Sequence, residues 1–282
     1  MKVGAGCKAS ERTEGKMSST FIAVDAAQYE QMMGRWSREL AALFIDFVGV
    51  RDGESVIDVG CGTGSLTFAL LDAARDLRLT AIDYSPVFLD AARAKPKAET
   101  VRFEQADATA LPFADASFDR ALSLLVLHFV PESKRALAEM RRVVKPGGRV
   151  AAAVWDGSGG YLAQRLFWDT AACLLPSGEE ARKRAYSRPL SRKGEMRSAF
   201  LEAKLADVVE TSLTIRMNYA DFADYWGPIA AGEGPLGAFF QKLDAKEKAT
   251  IERGVRAAFQ GGAPDGPRSF IASAWACSGR VR

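Results

Sequence analysis

Histidine is nearly missing from this chain, since His128 is its only one in 282 residues. The four cysteines, Cys7, Cys61, Cys173 and Cys277, are scattered without a CxxC pair. With no Cys/His spacing of a zinc site, no metal centre is expected, and the thiols read as reduced ones in a cytoplasmic protein. Charge of one sign is also lacking: the net charge is +3, with lysine and arginine spread along the chain. Such a field is too weak to argue for a nucleic-acid partner. Long apolar runs are absent too. The longest, near Leu122 to Val130, is strand-sized, so no membrane span is expected. The opening MKVGAGCKASERTEGKMSST has no apolar centre and is not a secretory signal. Residues 1–20 are expected to be a disordered extension, with Met17 an alternative start.

What is present is ordinary globular composition, 48% hydrophobic and 26% charged, at a length that suits one large α/β domain or two small ones. Strand and helix patterns alternate. Val56–Val59 reads as a strand buried on both faces, and LRLTAID as the next. TVRFEQAD alternates like a half-exposed edge strand, FDRALSLLVLHFV returns to a buried run, and RVAAAVW is a fifth strand. A helix before this fifth strand is expected to stop at Pro146-Gly147-Gly148. VVETSLTIRM and SFIASAWACSG supply two more strands. The expected fold is therefore a doubly wound, mostly parallel seven-stranded sheet with helices on both faces. No linker divides the chain. One domain over 21–282 is expected, with 53–156 as the cofactor half and 157–282 as the substrate half.

The stretch VIDVGCGTGSL ends its strand in an acid and turns through Gly60, Gly62 and Gly64 into a helix. Glycines permit the tight turn and let a ligand approach the backbone where open α/β sheets bind ligands. The spacing GxGxG is one residue shorter than the dinucleotide fingerprint, and the Lys-Ser/Thr ending of a P-loop is missing. Asp58, Asp83 and Asp107 fall at or near the ends of the first three strands, around one crevice. Clustered carboxylates repel a pyrophosphate and favour a ligand with a cationic centre and a ribose diol. Asp83 can accept hydrogen bonds from both ribose hydroxyls.

From about Tyr29 to Trp155 the chain resembles the class I S-adenosylmethionine-dependent methyltransferases, especially the group containing ubiquinone and menaquinone C-methyltransferases. The segments that carry the resemblance are VIDVGCGTGSL, LTAIDYSPVFLDAAR, VRFEQADATALPFADASFDRAL and LAEMRRVVKPGGRVAAAVWD. It implies a Rossmann-like fold and S-adenosylmethionine as cofactor. Asp58, Gly60, Cys61 and Gly62, with Thr63 and Gly64, would surround the methionine part. Asp83 would hold the ribose with Tyr84 nearby, Asp107 and Ala108 would read the adenine, and Ser123 and Leu124 would close the crevice. An N-terminal cover is implied as well, with Tyr29 and Trp36 on the substrate side. Arg35 would pair with the methionine carboxylate, or else be an ordinary surface arginine.

Methyl transfer from a sulfonium needs alignment and desolvation more than a protein nucleophile. His128, after the fourth strand, is the candidate base, with packing beside the cofactor as its alternative role. The aromatic segment after the sixth strand, NYADFADYWGPIAAGEGPLGAFFQKL, is expected to form a helical lid over the acceptor. Tyr225 and Trp226 are its predicted walls, which implies a small apolar or aromatic acceptor. No Asn-Pro-Pro-Tyr-like or Pro-Cys signature of DNA-modifying enzymes is present. A catalytically inactive binder of S-adenosylmethionine and a nicotinamide-dependent oxidoreductase stay open as alternatives. The charged run EEARKRAYSRPLSRK reads as a solvated loop and polar helix face rather than a nucleic-acid arm.

Overall fold

The structure, a computed structural model, describes residues 20, 21 and 25–282. The expected N-terminal extension lies, except for Thr20, outside the described residues. Seven strands are present: β1 Ser55–Val59, β2 Arg78–Asp83, β3 Val101–Gln105, β4 Phe118–Leu124, β5 Val144–Trp155, β6 Ala206–Tyr219 and β7 Arg268–Arg280. They form one sheet in the order β3-β2-β1-β4-β5-β7-β6. The first five run parallel, and β7 inserts antiparallel between β5 and β6.

Strand periodicity of two divides the apolar residues between two cores. Val56, Leu122, Ala151 and Ala153 face one, and Ile57, Val59, Ala121, Val150 and Ala152 face the other. Both faces must therefore be covered. Before β1 come α1 Ala26–Tyr29 and α2 Arg35–Val48, and between the strands of the first half lie α3 Ser65–Ala73, α4 Pro86–Arg93 and α5 Ser133–Val143. The second half of the chain adds α6 Leu162–Leu174, α7 Pro176–Tyr186, α8 Glu195–Glu202, α9 Phe222–Ala230, α10 Gly234–Gln241 and α11 Ala245–Gln260. Trp36, Leu40 and Phe44 of α2 and Leu66 and Leu70 of α3 fill the first core, and Leu137 and Met140 of α5 fill the second.

Two local details differ from the sequence reading. Helix α5 ends at Val143, before Pro146, and the Pro-Gly-Gly segment opens β5 instead. There Gly147 N–H bonds to Val281 O across from the end of β7. The polar run after Leu175 is largely helix α7, laced with Arg182–Glu179 and Lys183–Glu179 pairs. Among the described residues, no helix is long and apolar enough to cross a membrane.

Candidate active site

Strand order reverses between β1 and β4, and the crevice at their carboxyl ends opens into a cavity of about 200 Å³. The chain leaves β1 through Gly60, at φ +79°, where a Cβ would come within 2.5 Å of the Val126 methyls. Gly60 and Cys61 N–H both donate to Ile82 O at 2.8 Å, which pins the loop to β2. Asp83 completes the anchorage: its carboxylate accepts from Gly62 N–H and from Ser85 N–H, each at 2.8 Å. One residue thus shapes the loop and faces the cavity.

Asp58, Asp83 and Asp107 all line this cavity, as do Gly60, Cys61, Gly62, Tyr84, Ala108 and Leu124. Asp58 is 1% exposed; one carboxylate oxygen accepts from Thr67 Oγ1 at 2.6 Å, and Oδ1 has no partner. Burial, with Asp83 adding to it against the Thr67 hydrogen bond, pushes the Asp58 carboxyl up to about 7. Burial also raises Asp83, against the hydrogen bonds from Ser85, Gly62 and Tyr84. Asp107 is half-buried and accepts from Thr109 N–H and Oγ1, both at 2.8 Å. Tyr84 is exposed at the mouth. Buried acids with an unpaired oxygen ask for a cation or hydroxyl donors from a ligand, and the group implied by the sequence resemblance carries both.

A strap crosses the cavity. Helix α1 runs through a π-helical turn, Glu30–Gly34, into α2. Glu30 accepts from Lys95 Nζ at 2.6 Å, from Arg38 at 2.5 Å and from the Thr63 hydroxyl, and Lys95 also bonds Thr63 O at 2.8 Å. Burial acts to raise the Glu30 carboxyl, but these donors hold it below the usual carboxylate range. Gly34 leaves the space for this carboxylate, since a Cβ there would lie 2.2 Å from it. Tyr29 lines the cavity, with its hydroxyl near Gly62 and its ring 4.7 Å from that of Phe88.

Several predicted site residues stand elsewhere. Thr63 and Gly64 do not line the cavity: Thr63 holds the strap, and Gly64 caps α3 over Phe68. Ser123 points its hydroxyl to Val59 O at 2.9 Å, inside the sheet. Trp36 is buried against Tyr219. Trp226 is buried too, stacked on Phe222 and edge-on to Phe240, and so is no cavity wall. Arg35 does reach the cavity, but its fork is taken by Asp224, at 2.9 and 3.1 Å, rather than left for a methionine carboxylate.

The second half of the chain adds a further wall to the cavity. Tyr225, Pro228 and Ile229 of α9 and Pro235 and Leu236 of α10 face it, with Tyr225 held by Ala163 O at 2.9 Å. Leu125, left-handed at φ +64°, turns the chain sharply after β4 and sends Val126 and His128 to the cavity. His128 is buried, and its Nδ1 lacks a partner. Burial, helped by the nearby Arg188 charge, holds its imidazole well below the usual range and therefore neutral. Sequence reasoning missed Glu30, Lys95 and Arg188, whose roles depend on partners far away in the chain.

Comparison with known proteins agrees with this geometry. Residues 57–152 match the family model described as a methyltransferase domain. A demethylmenaquinone methyltransferase of Renibacterium salmoninarum is 43% identical over 119 residues, covering 42% of this chain and 47% of that protein. The ubiquinone/menaquinone biosynthesis C-methyltransferase UbiE of Paracoccus denitrificans is 38% identical over 123 residues, covering 42% and 49%. The matched part thus spans about half the length of these relatives. Among solved structures, the YcgJ protein from Bacillus subtilis superposes with a TM-score of 0.58 at 20% identity, covering 86% of this chain and 98% of that one. The last likeness is one of fold.

Proposed function

We propose that the protein is a class I S-adenosylmethionine-dependent methyltransferase acting on a small-molecule acceptor, a reading supported by the match of residues 57–152 to a methyltransferase domain and by the similar quinone-biosynthesis methyltransferases. The observation that carries this reading is the convergence of Asp58, Asp83 and Asp107 with the glycine loop on one cavity that α9 and α10 line with largely apolar residues. Asp83 would take the ribose hydroxyls, Asp107 and Ala108 the adenine, and Asp58 with Gly60, Cys61 and Gly62 the methionine part. When bound, the cofactor supplies a methyl group on a sulfonium, whose C–S electron pair stays with sulfur as the acceptor bonds the methyl carbon. The chain's own part is to align the acceptor and exclude water, through Tyr29 of the strap and the walls from α9 and α10. The test is incubation with methyl-labelled cofactor and a metabolite extract. A labelled small molecule supports the reading. Cofactor binding without any labelled product would favour an inactive binder, and binding of a nicotinamide dinucleotide instead would favour the oxidoreductase.

The raised Asp58 carboxyl gives a proton linkage. A cationic ligand favours the carboxylate, so binding near pH 7 should release protons, and affinity should rise with pH up to about 7 and level off above it. Calorimetry in buffers of different ionisation enthalpy measures this. Affinity equal at pH 6 and pH 8, with no proton release, would remove Asp58 from the cation's surroundings. The same shift acts on stability. The folded pKa lies above the unfolded one, so the ligand-free protein keeps this contribution at acid pH and loses it as pH rises through about 7.

His128 is neutral throughout the physiological range and therefore a weak base there. With the labelled acceptor in hand, His128→Ala should lower turnover less than tenfold and leave the pH–rate profile between pH 6 and 8 unchanged. Loss of an inflection in that window would restore His128 as the general base.

A further inference from the structure

Arg188 lies two residues beyond α7, within a charged and mostly basic run, yet it lines the cavity along with Phe129, Val130 and His128. Its guanidinium sits 4.4 Å from the centre of the Phe129 ring. The other arginine of the cavity, Arg35, is neutralised by Asp224, and Arg182 and Arg184 of α7 have glutamate partners. No carboxylate of the described residues pairs with Arg188. Burial alone pushes its guanidinium down to about 10, with no acid near enough to offset it. Of the acids of the cavity, Asp83 and Asp107 are engaged by backbone and hydroxyl donors, Asp224 by Arg35 and one oxygen of Asp58 by Thr67, and none of them pairs with Arg188.

A partly desolvated cation without a counter-ion is costly to the empty protein. The guanidinium is also a planar fork that suits carboxylate oxygens in pairs. The cavity that it lines has apolar and aromatic walls, among them Phe129 beside it and, elsewhere in the lining, Tyr225, Ile229 and Leu236. Resting on the methyl-transfer reading above, we propose that the acceptor carries a carboxylate on an apolar or aromatic body, and that Arg188 is the specificity-determining residue that pairs with it. This narrows the acceptor from any apolar molecule to an acid. The Phe129 ring attracts the guanidinium by a cation–π contact but offers its N–H donors no oxygen or nitrogen acceptor.

The test uses benzoate, 2-naphthoate and 4-biphenylcarboxylate, each against its neutral primary amide, titrated calorimetrically with and without S-adenosylhomocysteine. In the unaltered protein at least one acid should bind tenfold or more tightly than its amide. Arg188→Met should erase that preference by weakening the acid, leave the amide and S-adenosylmethionine affinities unchanged, and keep or raise the melting temperature. Arg188→Lys should retain part of the preference. No acid preferred over its amide in the unaltered protein, or an undiminished preference in either variant, would overturn the assignment. S-adenosylmethionine affinity, measured separately, reports on the methyl-transfer reading, so the two can fail independently.

Discussion

Replacing Asp83 with alanine is expected to weaken S-adenosylmethionine binding more than tenfold. A charge-assisted hydrogen bond is worth roughly 1.5–3 kcal/mol, which by itself corresponds to about ten- to hundredfold in affinity. Asp83 has a second role that raises the expected loss. Its carboxylate ties Gly62 N–H on the loop to Ser85 N–H at the start of α4. Without it, both donors lose their partner, and the loop that meets the ligand keeps the Gly60 and Cys61 bonds to Ile82 O and the Thr63 bonds to Glu30 and Lys95. Asp83→Asn is intermediate, because its single amide oxygen keeps only one of the two backbone bonds, its NH2 meets the other N–H donor, and the negative charge is gone. Calorimetry should therefore rank the unaltered protein first, the asparagine variant next and the alanine variant last. Equal affinities for all three would place the ribose elsewhere.

Trp226→Ala should lower stability by about 3–5 kcal/mol, the usual cost of deleting a large buried aromatic. Trp226 stacks on Phe222 at 5.5 Å between ring centres and meets Phe240 edge-on at 5.0 Å, with Phe167 at 6.3 Å. At roughly 2–4 °C per kcal/mol for a domain of this size, the melting temperature should fall on the order of 10 °C. Well below the transition, S-adenosylmethionine affinity should be little changed. A raised Michaelis constant for the acceptor with no thermal effect would instead make Trp226 a wall of the cavity. Helical spacing puts Phe222, Tyr225 and Trp226 on neighbouring positions of one helix, as α9 has them. Helical spacing cannot tell which neighbour that face meets, and here Tyr225 faces the cavity while Trp226 faces α6 and α10.

The same distinction runs through the rest of the molecule. The seven strands and the turn at Gly60 were legible because their causes are local: alternation, apolar runs and positions where only glycine fits. Asp58, Asp83 and Asp107 were legible together because each stands at or near the carboxyl end of its own strand, and parallel strands bring those ends to one edge. Glu30 was not, since its partners Thr63 and Lys95 are 33 and 65 residues away. Arg188 was masked by its own neighbourhood. In a run where Arg182 and Arg184 pair with glutamates one turn away, nothing in the spacing marks the one cation that turns inward. Arg35 misled for the opposite reason, because its partner Asp224 lies 189 residues downstream.

The π-helical turn at Glu30–Gly34 sets the phase between two parts of one rod. Downstream, α2 is fixed by Trp36, Leu40 and Phe44 in the core. Upstream, Tyr29 and Glu30 must face the glycine loop. An α-helix advances about 100° per residue, so deleting a single residue from this turn would swing everything before it through more than a quarter circle while α2 stayed in place. Tyr29 would leave the cavity, and Glu30 would leave Thr63 and Lys95. The extra residue is thus an angular offset written into the chain, and homologous sequences with and without it cannot be compared position by position across the cover.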